Sequence, residues 1–381
     1  MQSVAVGWDV YQRTGEPLAL GFVGLAQVIP AILLALPAGW LADNFDRRKV
    51  VLFSLIGMTL ASAGLAFQAL FDAPIWVVYL LLTLDAIVGS LGRPARTALV
   101  PRIVPRHLFP NAVAWNTSMF QLAGVVGPGI GGFVIAASIP AAYAITATTS
   151  LIFAILLMRI PEAAGVADGG GGHATLSTVF DGIRYLRRTR VLMAIMALDM
   201  FAVLLGGAVF LLPVFAEDIL AVGPTGLGYM HAAPAVGALL TALLLAHFRP
   251  LSRAGRALLL SVAGFGAVTI VFGLSESYPL SLAMLFLTGA FDQISMLVRH
   301  TMVQLTTPDA MRGRVSAVNG VFVSASNELG GFESGLVAHW FGPIVSVVSG
   351  GIGTILVVIA AAWASPGLRR YGSLGEINTR E

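Results

Sequence analysis

The sequence predicts an all-α integral membrane protein in which two six-helix bundles surround a central cavity. Twelve helices are expected, the first cut short at the N-terminus. Three observations lead there. Of 381 residues, 57% are apolar and only 11% charged, with a mean hydropathy of +0.87, whereas soluble globular proteins carry about 25% charged residues. Apolar runs of roughly 18 residues or more, long enough to cross a bilayer as helices, recur along the chain. The second half also repeats residue spacings of the first. The absence of cysteine removes disulfides, thiol nucleophiles and thiolate metal sites. The net charge of +3 and pI near 9.5 do not point to nucleic acid, because the cations sit in short loops where membrane topology places them.

The expected helical segments, in order, are Met1–Tyr11, Leu18–Leu41, Val50–Phe71, Ile75–Leu91, Asn111–Ala137 and Ala141–Met158, then Val191–Phe215, Leu227–His247, Ala257–Leu274, Pro279–Val298, Val315–Trp340 and Pro343–Trp363. A span needs about 20 residues, so the first segment reads as the later part of a transmembrane helix. The apolar start has no basic n-region and runs straight into a second span, which argues against a cleavable signal peptide. The charged hairpin Asp43–Lys49 is set in the cytoplasm by its consecutive cations. If sides alternate from there, only Arg13 of the 22 Lys and Arg residues falls outside. The remaining outer loops are neutral or acidic, with Asp72, Glu217, Asp218 and Glu276. This topology makes the chain multi-pass with a cytoplasmic C-terminus. Residues 1–160 form the first bundle and 191–365 the second. Residues 161–190 are a linker with a Gly169–Gly172 run and an amphipathic stretch from Leu176 to Arg190 that would lie on the inner membrane surface. Residues 366–381 are a cytoplasmic tail.

The two bundles are related by duplication. Arg96, Pro105 and Asn116 recur as Arg299, Pro308 and Asn319, a constant offset of 203. The same offset aligns Gly127 with Gly330 and Gly132 with Gly335. Duplicated six-helix units with a site between them are a common plan of secondary transporters.

Ionisable residues inside the spans carry the chemical signal. Helices 1, 4, 7 and 10 each hold one aspartate: Asp9, Asp85, Asp199 and Asp292. Each costs roughly 2.5–3.5 kcal/mol or more at the bilayer centre, so each should face the protein interior or a water-filled cavity. For any one of them a buried hydrogen-bonding role competes with cavity lining. Asp292 and Arg299, seven apart, share a face of helix 10 but lie about 10 Å apart along its axis, too far for direct pairing. Glu328 and Glu333 on helix 11 point in different directions, Glu328 being the better carrier and Glu333 a packing or gate residue. Gly127, Pro128, Gly131 and Gly132 on helix 5 read as a hinge or seal, with ordinary tight packing as the plain alternative. A nucleotide-binding loop is excluded there, since no strand precedes it and no Gly-Lys-Ser/Thr follows. The histidines lack metal-ligand spacing; His231 reads as a satisfied buried imidazole. Trp8, Trp76 and Trp363 read as interfacial anchors. No catalytic triad or carboxylate pair is defensible, so the chain is not an enzyme and needs no cofactor.

Gly39-Trp40-Leu41-Ala42-Asp43 followed by Asp46-Arg47-Arg48 resembles the loop 2–3 signature of the major facilitator superfamily, with Asn44 and Asp46 departing from its pattern. The helix 5 glycines resemble the superfamily's antiporter motif. Trp8–Gly15, Met311–Asn319 and Ser326–Gly330 resemble the enterobactin-exporter-like branch. The resemblance implies a proton-driven exporter in the bacterial inner membrane that acts by alternating access between its two halves. Its cargo is expected to be small amphipathic molecules, siderophores or drugs, and the chain is expected to act as a monomer. It implies that Asp43, Arg47 and Arg48 close the cytoplasmic gate. The counterpart loop Arg249–Arg256 keeps cations but not the acid. Asp292 is expected to couple protons, with Asp85 and Glu328 next and Asp9, Asp199 and Arg299 tuning the cavity. A lysophospholipid flippase on the same fold and a transport-inactive receptor or assembly protein are the alternatives.

Overall fold

The computed structural model describes residues 1–160, 184–186, 189–247, 253–369 and 372. The first six helices are α1 (Gln2–Thr14), α2 (Pro17–Asn44), α3 (Arg47–Leu70), α4 (Ile75–Ile103), α5 (Phe109–Ala137) and α6 (Ile139–Arg159). After the connection come α7 (Arg190–Leu205), α8 (Gly223–His247), α9 (Ala254–Gly273), α10 (Tyr278–Thr306), α11 (Asp309–Phe341) and α12 (Pro343–Ala364). Of the expected surface helix from Leu176 to Arg190, residues 184–186 are helical, with Leu186 buried against Leu192, Val303 and Val315; residues 176–183 and most of the tail lie outside the described residues.

Local chemistry sets the boundaries. Gly15 takes a left-handed φ of 62° and donates its N–H to the Tyr11 carbonyl, ending α1. Pro17 then opens α2 at a position where a missing N–H costs nothing. The Asp46 carboxylate caps α3 by accepting from the backbone N–H groups of Arg48 and Lys49. Two expected helices prove longer: α4 runs past Leu91 to Ile103, and α10 past Val298 to Thr306. Hydropathy fell at Arg93, Arg96 and Arg299, but a helix needs only its backbone bonds to continue, and these arginines project from it.

One expected helix is instead broken. After Leu205 the glycines Gly206 and Gly207 interrupt α7, followed by a 3-10 turn (Ala208–Leu211), a turn at Leu212–Val214 and a π turn (Phe215–Ile219). Pro213 has no N–H for a regular ladder. The bare α-carbon of Gly207 lets the Gly330 carbonyl of α11 come close enough that a Cβ would meet it at 2.6 Å.

Among the described residues, ten helices are long and apolar enough to cross a membrane. The other two long elements fall short for visible reasons: α1 has 13 residues, and α11, with 33, carries Asp309, Arg312, Arg314, Glu328 and Glu333.

Helices alternate in direction, so one end of the molecule carries Asp72 and the other Asp43. Within the first bundle α4 packs on α2 and α3, and α3 on α6; within the second α10 packs on α8 and α9, α9 on α12, and α7 on α11. The main contacts between bundles are α2 with α11 and α5 with α8. The core is divided unevenly. Toward the Asp72 end a single apolar cluster joins both bundles, with Trp8, Leu65, Val78 and Tyr143 from one and Phe215, Phe272, Leu285 and Val347 from the other. Toward the Asp43 end each bundle keeps its own clusters, for example Val51, Leu55 and Leu157 in the first and Leu258, Val298 and Val358 in the second. The molecule is therefore closed between bundles at the Asp72 end and parted at the Asp43 end.

The seams at the closed end are built from the duplicated glycines. A Cβ on Gly132 of α5 would lie 2.7 Å from the Pro224 carbonyl oxygen and 2.8 Å from the Gly228 Cα of α8. A Cβ on Gly335 of α11 would lie 2.9 Å from both the Pro17 oxygen and the Gly21 Cα of α2. Pro17 and Gly21 stand 207 positions before Pro224 and Gly228. Both seams thus use the same Pro-x-x-x-Gly edge against the same glycine, where backbone meets backbone.

Candidate functional site

A cavity of about 380 Å³ lies between the bundles, walled by α1, α2, α4, the turn after α7, and α8. Apolar side chains such as Leu20, Val23, Leu82 and Phe210 make most of its lining, and Asp85, Gln2, Gln27 and His231 supply polar points. Asp85 is held from one side only. Ser62 Oγ donates to the Gln2 side-chain oxygen Oε1 at 3.0 Å, and Gln2 Nε2 donates to Asp85 Oδ2 at 3.5 Å. Its Oδ1 is buried and has no hydrogen-bond partner. A half-buried carboxyl with one free oxygen in a cavity can bind a proton or a donor group on a ligand.

The other aspartates have different surroundings. Asp9 is 1% exposed and is held by Arg13 Nε at 2.7 Å, Tyr143 OH at 3.1 Å and Gln68 Nε2 at 3.2 Å. It ties α1 to α3 and α6 rather than lining the cavity. Asp199 on α7 is ion-paired with Arg299 on α10, and both are buried. Asp292 sits at the middle of α10 and is exposed. It shares a helix face with Arg299, which reaches α7 of the same bundle. Glu328 lies where α11 meets α2 at Gly24, and its Oε2 is buried without a hydrogen-bond partner. The Glu333 carboxylate accepts from Ser334 Oγ at 3.4 Å.

At the Asp43 end, Arg47 lies 4.0 Å from Asp43 and donates to the carbonyls of Ala42 at 3.1 Å and Ala98 of α4 at 3.4 Å. Arg48 donates to the Met158 carbonyl at the end of α6 at 2.6 Å. Gly39 precedes this hairpin in the last turns of α2. The hairpin thus fastens α2 and α3 to the C-terminal ends of α4 and α6, where a cation is electrostatically favoured. On α5, Gly132 makes the seam to α8, the Pro128 carbonyl faces Gly228, and Gly127 and Gly131 border Met1 at the start of α1.

Residues 1–370 match the family of transmembrane secretion effectors. The chain belongs to this family of major facilitator transporters. Its curated relatives include the enterobactin exporter EntS of Shigella boydii serotype 18, 27% identical over 335 residues, covering 87% of this chain and 80% of that protein. EntS of Escherichia coli O139:H28 matches equally. Among solved structures, a D-xylose–proton symporter superposes with a TM-score of 0.70 at 14% identity, covering 94% of both chains. The nucleoside transporter NupG superposes with a TM-score of 0.67 at 16% identity, covering 97% of this chain and 96% of that one. These chains share the fold. The relatives are transporters, not enzymes.

Two features of this secretion-effector chain escaped sequence reasoning. The Asp199–Arg299 pair joins helices whose residues lie a hundred positions apart, and nothing in either segment alone announces it. His231, read as a satisfied core imidazole, lines the same cavity as Asp85. The repeat partner of Arg299 behaves differently: Arg96 lies over the Phe153 ring of α6 at 5.6 Å from its centroid.

Proposed function

We propose that this chain is a proton-coupled exporter of small amphipathic molecules, working by alternating access across a bacterial inner membrane. The observation that carries the reading is an acid-bearing cavity closed between bundles at one end and parted at the other. The cations of the Asp43 end mark it as cytoplasmic, so the structure corresponds to the state that loads from inside. Residues 1–160 and 191–365 act as the two moving bodies, joined through 161–190. The Asp72 end opens when the glycine seams part. Asp85, which lines the cavity between bundles, and Asp292, exposed at the middle of α10, carry the proton. The enterobactin exporters among the relatives support export of siderophores, and the apolar lining equally supports drug-like amphipaths.

The test is efflux from pump-deficient cells expressing the chain, loaded in turn with a lipophilic cationic dye, a macrolide and a catecholate siderophore, with and without an uncoupler. Uncoupler-sensitive export of any one is expected. Asp292→Asn is expected to abolish it while membrane insertion is retained. Absence of export of all three from inserted protein overturns the exporter reading, and normal flux in Asp292→Asn removes that residue from coupling.

A further inference from the structure

A second crevice opens toward the Asp43 end, between α2, α4 and α11, with a volume of about 390 Å³. Its walls are small: Ala31, Ala35 and Ala38 from α2, Gly320 and Ala325 from α11. A Cβ on Gly320 would meet nothing within 4 Å, so this part of the interface is not packed. Its polar side comes from α4, where Ser90, Arg93 and Thr97 follow at helical spacing along one face. Arg93 is exposed, and among the described residues it has no ion-pair partner. Arg96 stands one turn farther along α4 and adds to the positive field. The acid that acts electrostatically on this region is Glu328 of α11, on the other bundle.

An exposed guanidinium with no ion-pair partner at the wall of a crevice is free to receive an anion. Its fork of donors matches a carboxylate, phosphate or phenolate. The alanine and glycine walls admit a flat body beside it, and Arg93 opposes a cationic one. We propose that this crevice is a subsite for the anionic end of a flat amphipathic substrate, with Arg93 as its counter-charge. The proposal rests on the transporter reading and refines it to anionic cargo. Arg93 receives the anion while the Asp43 end is open, and the α11 wall moves with the opposite bundle when that end closes, so the site is offered only in the loading state.

The experiment uses the full chain in lipid nanodiscs, with empty nanodiscs subtracted. Binding of 1-pyrenebutyrate is compared with that of its uncharged amide, which has the same ring system without the charge. The expected result is a preference of about tenfold or more for the acid. Arg93→Gln removes it, Arg93→Lys keeps part of it, and Glu328→Gln strengthens acid binding by removing a repelling carboxylate. Helicity and elution profile establish that each variant is folded. Equal binding of acid and amide overturns the subsite, as does a preference that survives Arg93→Gln. Failure of this proposal is separable from failure of the transporter reading. Uncoupler-sensitive dye efflux without charge preference leaves a transporter with no anion subsite, whereas Arg93-dependent binding without export of any cargo leaves an anion site on a protein that does not transport.

Discussion

At Asp9 three donors from three different helices converge on one carboxylate, and Arg13 goes on to bond Gln68 and the Ala73 carbonyl at 3.1 Å each. A group so fully satisfied is better placed to hold structure than to exchange protons. Asp9→Asn strands Arg13 and should cost roughly 2–3 kcal/mol of stability, seen as a lower thermal unfolding midpoint in detergent with 1-pyrenebutyrate binding unchanged. An unaltered midpoint would return Asp9 to the cavity. The contrast with Asp85 and Asp292 was only half legible in the sequence. The one-per-triplet spacing of aspartates announced four costly groups, but a single helix does not show its neighbours. Gln68 and Tyr143, which decide the fate of Asp9, lie on α3 and α6, where no ionisable residue drew attention. Arg93 was passed over for the opposite reason: its helix was ended at Leu91, so it counted as a loop cation.

Elements were most legible where apolar runs ended in turn chemistry, as at Gly15-Glu16-Pro17 and in the Asp43–Lys49 hairpin. They were least legible where a helix outran its hydropathy, as in α4, or where apolar residues concealed a break, as at Gly206-Gly207 in α7. Glycine on α5 was ambiguous between hinge and packing until its partner on α8 was seen. Its geometry gives a direct prediction. Gly132→Leu drives a side chain into the Pro224 carbonyl and the Gly228 backbone, which cannot rotate away. Spin labels placed across the Asp72 end should then report longer distances between bundles, with unchanged distances inside each bundle. Unchanged distances across the bundles would show that the α5–α8 seam does not hold that end shut. Because the chain has no cysteine, label sites can be introduced without removing native thiols.

For the whole molecule, the duplication read at an offset of 203 gave the two-bundle plan, but it left open which end was shut. That follows from where the core clusters join and from polar contacts that span the bundles. Tyr11 OH donates to Asp218, and His339 lies 3.0 Å from Glu16, both at the Asp72 end. Removing both with Tyr11→Phe and His339→Gln should weaken closure by roughly 1–2 kcal/mol, shifting the ratio toward the outward-open form by about five- to thirtyfold. The same spin-label distances measure it, and no shift would mean that the apolar core alone sets the balance.

The glycine seams have a consequence for how fast such a shift can occur. Where Gly132 meets Gly228 and Gly335 meets Gly21, there are no side-chain rotamers to freeze on contact or release on parting, so closure loses almost no conformational entropy at these points. What holds them is dispersion between atoms at touching distance, and a gap of 0.5–1 Å already forfeits about a quarter to a half of that attraction. A contact with so short a reach acts as a catch with two positions. Once separated by an ångström the seams have lost up to about half of their attraction, and the shared apolar cluster and the polar contacts of the Asp72 end are left to draw the bundles back.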